Sequence, residues 1–213
     1  MPLFYQQDIN ETTRLGVWKI EEPESFFLQA VPLQRNITHP ISRLQHLAGR
    51  FLLPALFPDF PHEEIEIADT RKPFLPDEIY HFSISHCGYY AAAIVSSNRR
   101  VGIDVELINS RVDKVKHKFL NASELAFVNS QHPDQQLALL TTLWSAKEAM
   151  YKWWGRGELS FSECLRTLPF TMEESGLINA LFCKDNKEIP LQLDYQIRKD
   201  ISLVWLQTDA GIF

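Results

Sequence analysis

The sequence predicts an α+β fold, because helical and strand-like hydrophobic patterns occupy separate stretches of the chain. Apolar residues recur at helical spacing from Ile41 to Leu52 and again from about Gln135 to Trp154. Between these stretches, and once more near the C-terminus, short apolar or alternating segments indicate strands. Helices and strands grouped in this way are typical of α+β domains rather than of a parallel sheet with alternating helices.

The first predicted helix begins at Thr38–Pro40, since proline suits the first position of a helix. We expect Pro54 to kink or end this helix, because proline lacks an N–H and its ring clashes with the preceding turn. Phe57–Pro61 is a predicted loop. Opposite the apolar face we expect a basic stripe, which a solvated helix surface explains as well as an anion site does. The stripe consists of Arg43, His46 and Arg50.

The strands fall into a central group and a terminal group. A turn at Ser97–Arg100 separates the second and third central strands, and Gly155 suits a cap after the second long helix. The predicted strands are Phe82–Ser85, Tyr90–Val95, Val101–Glu106, Leu191–Tyr195 and Ile201–Leu206.

Composition predicts a soluble cytoplasmic protein. The 213 residues carry a net charge of −6, which disfavours general nucleic-acid binding because that depends on neutralising phosphates. The N-terminus lacks the pattern of a signal peptide, and no apolar run reaches the roughly 18 residues of a membrane helix. Cys87, Cys164 and Cys183 form no CxxC pair, so we expect reduced thiols rather than a zinc site or a disulfide framework.

The segment Val101–Glu106 carries the most informative pattern. On a strand, Asp104 and Glu106 share one face while Ile103 and Val105 share the other. Two carboxylates this close repel each other unless a cation or good solvation offsets their charge. Mg²⁺ prefers such oxygen ligands and completes its shell with phosphate and water. An edge strand with a solvated face is the alternative interpretation.

A second pattern lies in the predicted long helix, at Trp144–Lys152. Glu148 and Lys152 are four residues apart and therefore neighbours on one helix face, with Trp144 one turn earlier. An ordinary surface ion pair explains this spacing, but the tryptophan suggests a face that is partly covered. A carboxylate and a lysine together can hold Mg²⁺ and a diphosphate, and phosphoryl transfer depends on such charge neutralisation.

A third pattern is Ser85-His86, at the end of a predicted strand. These side chains could contact a phosphate or an adenosine, or His86 could be an ordinary turn residue. A nucleophilic pair of His86 with Cys87 is disfavoured, since neighbouring side chains on a strand point to opposite faces.

Taken together, three blocks of the chain resemble the 4′-phosphopantetheinyl transferase family, in its larger pseudodimeric branch. The first block runs from RKPF at Arg71–Phe74 to FSISHC at Phe82–Cys87; the others are VGIDVE at Val101–Glu106 and WSAKEAMYKWWGRGEL at Trp144–Leu159. The resemblance implies that coenzyme A donates 4′-phosphopantetheine to a serine of an apo acyl or peptidyl carrier protein. Adenosine 3′,5′-bisphosphate would be released.

The resemblance also implies an architecture and an oligomeric state. Two similar α/β subdomains, residues 1–100 and 101–213, would be related by a pseudo-twofold axis, with the site in the cleft between them. Because one chain would carry both halves, a monomer is expected.

The resemblance further implies roles for individual residues. The Mg²⁺ ligands, with Mn²⁺ as a possible replacement, would be Asp104, Glu106 and Glu148. The groups that hold coenzyme A would be Arg43, His46, Lys72, Ser85, His86 and Lys152. Lys152 would also neutralise the diphosphate or protonate its leaving group. Glu124 would be the general base for the serine.

Two other functions remain open. A Mg²⁺-dependent nuclease also uses acidic residues with a lysine, although its lysine usually follows the acid by two residues on a strand. A non-catalytic module that binds carrier proteins would keep the fold without the chemistry. For a carrier, which is usually acidic, we expect a basic docking patch at Arg111, Lys114, Lys116 and Lys118, although a solvated loop also explains these charges.

Overall fold

The computed structural model describes residues 3–33 and 36–211, and the chain divides into two compact units. The first unit comprises the described part of Met1–Val101 together with that of Thr208–Phe213, and the second is Gly102–Gln207. Mixed helix and sheet in both units confirm the predicted α+β class. No helix within the described ranges is long and apolar enough to cross a membrane.

The first unit is built on a four-stranded antiparallel sheet and one long helix. Its helices are α1 (Glu24–Leu28) and α2 (Pro40–Leu56), with a 3₁₀ turn at His62–Glu64. Its strands are β1 (Leu3–Asn10), β2 (Thr13–Lys19), β3 (Glu66–Ile67), β4 (Pro73–Phe74), β5 (His81–Cys87) and β6 (Tyr90–Ser96). The main sheet has the order β1-β2-β6-β5, and β3 pairs with β4.

Helix α2 confirms the predicted start, and it does not end at Pro54. The His39 ring accepts a hydrogen bond from the backbone N–H of Ser42, and Pro40 occupies the first turn. Pro54 lies inside the helix, which continues to Leu56. Because Pro54 is in the last turn, only one helical hydrogen bond is lost, and burial of the neighbouring leucines holds the turn against the sheet.

The second unit places one long helix against a larger sheet. After β7 (Arg99–Leu107), which carries the chain into this unit, come a 3₁₀ turn at Val112–Val115 and the remaining elements. The helices are α3 (Lys116–Phe119), α4 (Ala122–Asn129), α5 (Pro133–Trp154) and α6 (Phe161–Cys164). The strands are β8 (Leu165–Thr167), β9 (Ser175–Lys184), β10 (Lys187–Arg198) and β11 (Ile201–Asp209), in the order β7-β11-β10-β9-β8.

The predicted long helix and its cap are confirmed in α5. The helix ends at Trp154, and Gly155 follows with a φ of 65° while its N–H bonds the carbonyl of Tyr151. Glycine adopts this left-handed conformation without strain, which fixes where the helix stops.

Gly102 lets α5 lie directly against β7. A Cβ atom at this position would come within 2.2 Å of the backbone oxygen of Ala149 and 2.9 Å of the Trp153 side chain. A backbone atom cannot rotate away, so the helix itself would have to move. The residue therefore determines how closely the two elements that carry the predicted metal ligands approach.

We expect Gly102→Ala to lower the free energy of unfolding by about 1–3 kcal/mol, the usual cost of overpacking a core. Urea unfolding followed by circular dichroism measures this change. Gly211→Ala is the matched control, since an added Cβ there meets no atom within 4 Å. Equal stability of the two variants would show that α5 can move away without cost.

Candidate active site

The two carboxylates of β7 both reach residues of α5. Asp104 Oδ1 accepts a hydrogen bond from Lys152 Nζ at 2.6 Å, and Glu106 Oε1 accepts one from Trp144 Nε1 at 3.2 Å. The predicted common face of Asp104 and Glu106 is thereby confirmed. Although β7 lies at the edge of its sheet, Asp104 is only 2% exposed, so this face is not the solvated surface of the alternative interpretation.

Glu148 on α5 completes a cluster of three acidic side chains, which we call the carboxylate cluster: Asp104, Glu106 and Glu148. Burial raises the pKa of Glu148 from its ordinary 4.5 to about 7. The charges of Asp104 and Glu106 act in the same direction, and Lys152 opposes them. The three carboxylates are therefore close enough to interact, and a cation beside them would stabilise their charged forms.

Aromatic rings cover one side of this cluster. The Trp144 ring lies 5.0 Å from that of Phe119 and 5.8 Å from that of Phe161, measured between centroids. Tyr151 adds a second contact to Phe161 at 5.4 Å. The covered helix face that Trp144 suggested in the sequence is therefore present, and the rings hold the indole that bonds Glu106.

The carboxylate oxygens of the cluster suit Mg²⁺ as ligands, whereas in this structure Asp104 forms an ion pair with Lys152. Three carboxylates supply the hard oxygen ligands that Mg²⁺ prefers, and their mutual repulsion favours a cation. Among residues 3–33 and 36–211, however, no three His, Cys, Asp or Glu side chains converge as a metal cage. Lys152 supplies the positive charge beside Asp104.

Glu124 lies in a separate buried network. Its Oε2 accepts hydrogen bonds from the Asn121 backbone N–H and from Lys147 Nζ, while its Oε1 accepts from both the N–H and the hydroxyl of Thr167. Asn121 and Glu124 also form the capping box that begins α4. None of these partners is among the residues predicted to bind the metal or coenzyme A. Through them Glu124 links α4, α5 and β8.

Lys147 is fully buried, although no sequence motif predicts a role for it. Its ammonium group pairs with Glu124 at 2.7 Å and donates to the Phe161 carbonyl at 3.0 Å. Burial lowers the pKa of Lys147, and Glu124 opposes this effect. Its position in the sequence does indicate burial. Lys147 comes four residues after Leu143 and three before Met150, so it falls on the apolar face of the helix.

A second candidate site lies in the first unit. A pocket of about 150 Å³ there combines four basic side chains with three apolar ones. The basic residues are His46, Arg50, Arg71 and His86, and the apolar residues are Ile67, Pro73 and Ile84. Two arginines and two histidines around one pocket suit an anionic group such as a phosphate.

The pocket brings together only some of the predicted coenzyme A residues. His46 and His86 line it, whereas Arg43, Lys72 and Ser85 are not among the described residues that do so. Arg43 pairs with Glu24 at 2.8 Å, and Ser85 is buried. The sequence suggested that the basic stripe is a solvated face opposite the apolar one. Arg50 is only 6% exposed, so the stripe is not such a face.

Comparisons with known proteins agree with the sequence blocks. Residues 100–203 match the 4′-phosphopantetheinyl transferase superfamily. The chain is 34% identical over 113 residues to the 4′-phosphopantetheinyl transferase AcpT of Escherichia coli O157:H7, which is 52% of this chain and 57% of that protein. It is 36% identical over 85 residues to a 4′-phosphopantetheinyl transferase of Bacillus subtilis, covering 40% of this chain and 37% of that one.

A further relative is matched over a longer stretch. The chain is 30% identical over 138 residues to the AcpT protein of Salmonella typhimurium, which is 63% of this chain and 71% of that protein. Against the E. coli relative the chain spans 57% of the length, so about half of that protein is matched. Because the Salmonella protein is matched over 71% of its length and residues 100–203 match the superfamily, the chain belongs to the 4′-phosphopantetheinyl transferase superfamily.

Proposed function

We propose that this protein transfers 4′-phosphopantetheine from coenzyme A to a serine hydroxyl of an apo acyl or peptidyl carrier protein. Adenosine 3′,5′-bisphosphate is the second product. The observation that carries the proposal is the carboxylate cluster beside Lys152, in a chain that belongs to this superfamily. Negative net charge supports a protein without nucleic-acid partners, and we further propose a cytoplasmic monomer.

The carboxylate cluster would hold Mg²⁺, or Mn²⁺ in its place, which when bound neutralises charge on the diphosphate of the donor. Lys152 stands beside Asp104, where its ammonium group can bind a diphosphate oxygen and donate a proton to the departing bisphosphate. Trp144 orients Glu106 through its indole N–H, and the rings of Phe119 and Phe161 pack against that indole.

The geometry changes the role we assign to Glu124. Acting as a general base for the serine would require it to give up hydrogen bonds in the network with Lys147 and Thr167. We therefore leave Glu124 out of the proton transfer. Its proposed role is to hold α5, and hence Glu148 and Lys152, in position.

The basic pocket of the first unit would bind the phosphate-bearing nucleotide end of coenzyme A. Arg50, Arg71 and the two histidines offer donors to phosphate oxygens, and Ile84 with Pro73 offers an apolar wall. We propose that one donor molecule uses both this pocket and the carboxylate cluster. The proposal also includes the architecture that the resemblance implies, which is a pseudo-twofold pair of subdomains with the site in the cleft.

Arg71→Gln should weaken coenzyme A binding about tenfold or more, because a hydrogen bond to a charged group contributes about 1.5–3 kcal/mol. Isothermal titration of coenzyme A into each variant measures the change. Arg111→Gln is the matched control, since Arg111 is exposed and lies in the second unit. Equal dissociation constants for both variants would remove the pocket from the proposed donor site.

The function itself is tested by the intact mass of an apo carrier protein after incubation with this protein, coenzyme A and Mg²⁺, with an EDTA control. A gain of the phosphopantetheine mass that EDTA abolishes would support both the transfer and its metal dependence. Carrier binding without any mass gain, over several carriers, would favour the non-catalytic module. Nicking of a supercoiled plasmid would favour the nuclease instead.

A basic segment after β7 is the proposed docking site for the carrier. Arg111, Lys114 and Lys118 are exposed, while Lys116 pairs with Asp113 at 2.9 Å. Replacing Lys114, Lys116 and Lys118 together with glutamate should raise the KM for an acidic carrier about tenfold or more, because about six units of charge are reversed at the surface. The dissociation constant of coenzyme A should not change. An unaltered carrier KM would place docking elsewhere.

A further inference from the structure

Two of the three cysteines lie on facing segments of the second unit. Strands β8 and β9 are antiparallel, with Leu165 opposite Phe182 and Thr167 opposite Ala180. Continuing this register by one residue places Cys164 opposite Cys183. Side chains that face each other in such a pair lie on the same side of the sheet, with Cβ atoms about 4.5–5.5 Å apart.

This spacing is close to what a disulfide requires. The Cα atoms of a disulfide are about 4.4–6.8 Å apart and the Cβ atoms about 3.5–4.5 Å apart. Facing residues of an antiparallel pair have Cα atoms about 4.5–5.5 Å apart, which lies within that range. Cys164 ends the short helix α6, so a small adjustment there can close the remaining distance without moving the sheet.

Both thiols are also accessible from solvent. Each cysteine is half-buried, and both line one open surface depression of about 790 Å³ together with Arg166, Lys184 and Glu188. Burial raises the pKa of the Cys183 thiol, which lies 3.8 Å from a carboxylate oxygen of Glu188. Cys164 also contributes to that rise, as expected of two sulfur atoms that are neighbours.

We propose that Cys164 and Cys183 form a reversible disulfide, with a low-molecular-weight disulfide such as oxidised glutathione as the oxidant. One cysteine thiolate attacks the glutathione disulfide and releases one glutathione thiolate, leaving a mixed disulfide on the protein. The second cysteine thiolate then attacks the protein sulfur and releases the second glutathione thiolate. Two protein thiols are oxidised, one glutathione disulfide is reduced to two thiols, and the two thiol protons pass to solvent or to the departing thiolates.

The raised pKa of the Cys183 thiol leaves it with less thiolate near neutral pH than an ordinary cysteine has. The bond would join the end of α6 to β9. Phe161, at the other end of α6, packs on Trp144 and accepts a hydrogen bond from Lys147, so the disulfide would restrain the segment that covers α5.

The test equilibrates the purified protein with mixtures of reduced and oxidised glutathione, followed by acid quenching, alkylation and peptide mass analysis. We expect a linked pair of peptides that contain Cys164 and Cys183, a mass lower by two hydrogen atoms, full reversal by dithiothreitol and an alkylated Cys87. The oxidised protein should also melt at a temperature several degrees higher than the reduced protein, because the cross-link restricts the unfolded chain.

Matched variants separate the pair from the third cysteine. Cys87→Ser should form the same linked peptides as the unmodified protein, and Cys164→Ser should lose both the link and the rise in melting temperature. Alkylation of both Cys164 and Cys183 at every glutathione ratio would overturn the proposal. So would glutathione adducts that never resolve, or a link that includes Cys87.

Discussion

Replacing Glu148 with glutamine should reduce carrier modification at least about a hundredfold and, at the same time, make the folded protein more stable above pH 7. The loss of activity follows because the carboxylate cluster would lose one of the three negative charges that would hold the cation. Removing one such electrostatic group typically costs about a hundredfold or more. Glutamine keeps the shape of the side chain, so α5 should retain its packing. Initial rates of carrier modification at saturating coenzyme A measure this effect.

The gain in stability follows from the pKa of Glu148. Its pKa is about 7 in the folded protein and ordinarily 4.5. A carboxyl group with a raised folded pKa stabilises the fold fully below its unfolded pKa, and this contribution is lost as the pH rises through the folded pKa. Between about pH 4.5 and 8 the loss reaches about 3 kcal/mol. Glu148→Gln should remove this loss, so its advantage over the unmodified protein grows with pH.

Urea unfolding from pH 5 to 8 in the presence of EDTA tests the expected gain in stability of Glu148→Gln. Glu174→Gln is the matched control, because Glu174 is exposed and the same substitution there should change neither activity nor the pH profile. Parallel stability profiles for Glu148→Gln and the unmodified protein would show that folding does not raise the pKa of Glu148. Full activity of Glu148→Gln would remove this residue from the proposed mechanism.

Removing the buried Lys147 ammonium group should lower the free energy of unfolding by about 3–5 kcal/mol, because Glu124 would remain buried without its ionic partner. Lys147→Met keeps most of the side-chain volume and isolates the effect of the charge. Changing both partners, as Lys147→Met with Glu124→Gln, should recover most of the loss, since replacing a buried pair by uncharged groups is often close to neutral. Chemical denaturation measures all three proteins.

The double variant distinguishes a structural role of Glu124 from a catalytic one. If Glu124 serves only to hold α5, the double variant should keep a substantial share of carrier modification once its stability is restored. Lys187→Met, at an exposed position outside the proposed docking segment, is the control for the substitution. A stable but inactive double variant would restore Glu124 as a candidate base, and undiminished stability of Lys147→Met would contradict the importance of the pair.

Elements with one clear period can be predicted from the sequence. Helix α5 and its glycine cap follow from apolar spacing and from the position of Gly155. Strand β7 follows from alternation, which also gives the common face of Asp104 and Glu106. In these elements local pattern and final packing agree. The grouping of Asp104 and Glu106 with Glu148 follows from the resemblance to a family, because no local pattern places α5 beside β7.

Other features depend on tertiary contacts that no local pattern shows. Strands β1 and β9 escape prediction, because polar residues such as Gln6, Gln7 and Asn179 weaken their hydrophobic signal. Helical spacing places Arg50 on a solvated stripe, yet it is buried beside the basic pocket. Spacing does put Lys147 on the apolar face of α5, but it does not show which residue neutralises its charge. A buried charge is stable only with ionic or hydrogen-bonding partners, and these can be distant in sequence, as Glu124 is from Lys147.

The charged residues of β7 bear on the solubility of the chain before it folds. A segment of apolar residues with high β-propensity promotes aggregation while it is exposed, and charged side chains within it are a common protection. Asp104 and Glu106 stand on this strand among the apolar residues Val101, Ile103 and Val105. With the two carboxylates replaced by apolar residues, β7 would become an almost uninterrupted hydrophobic segment of high β-propensity. The same charges that would bind a cation in the folded protein therefore also keep this segment from promoting aggregation in the unfolded chain.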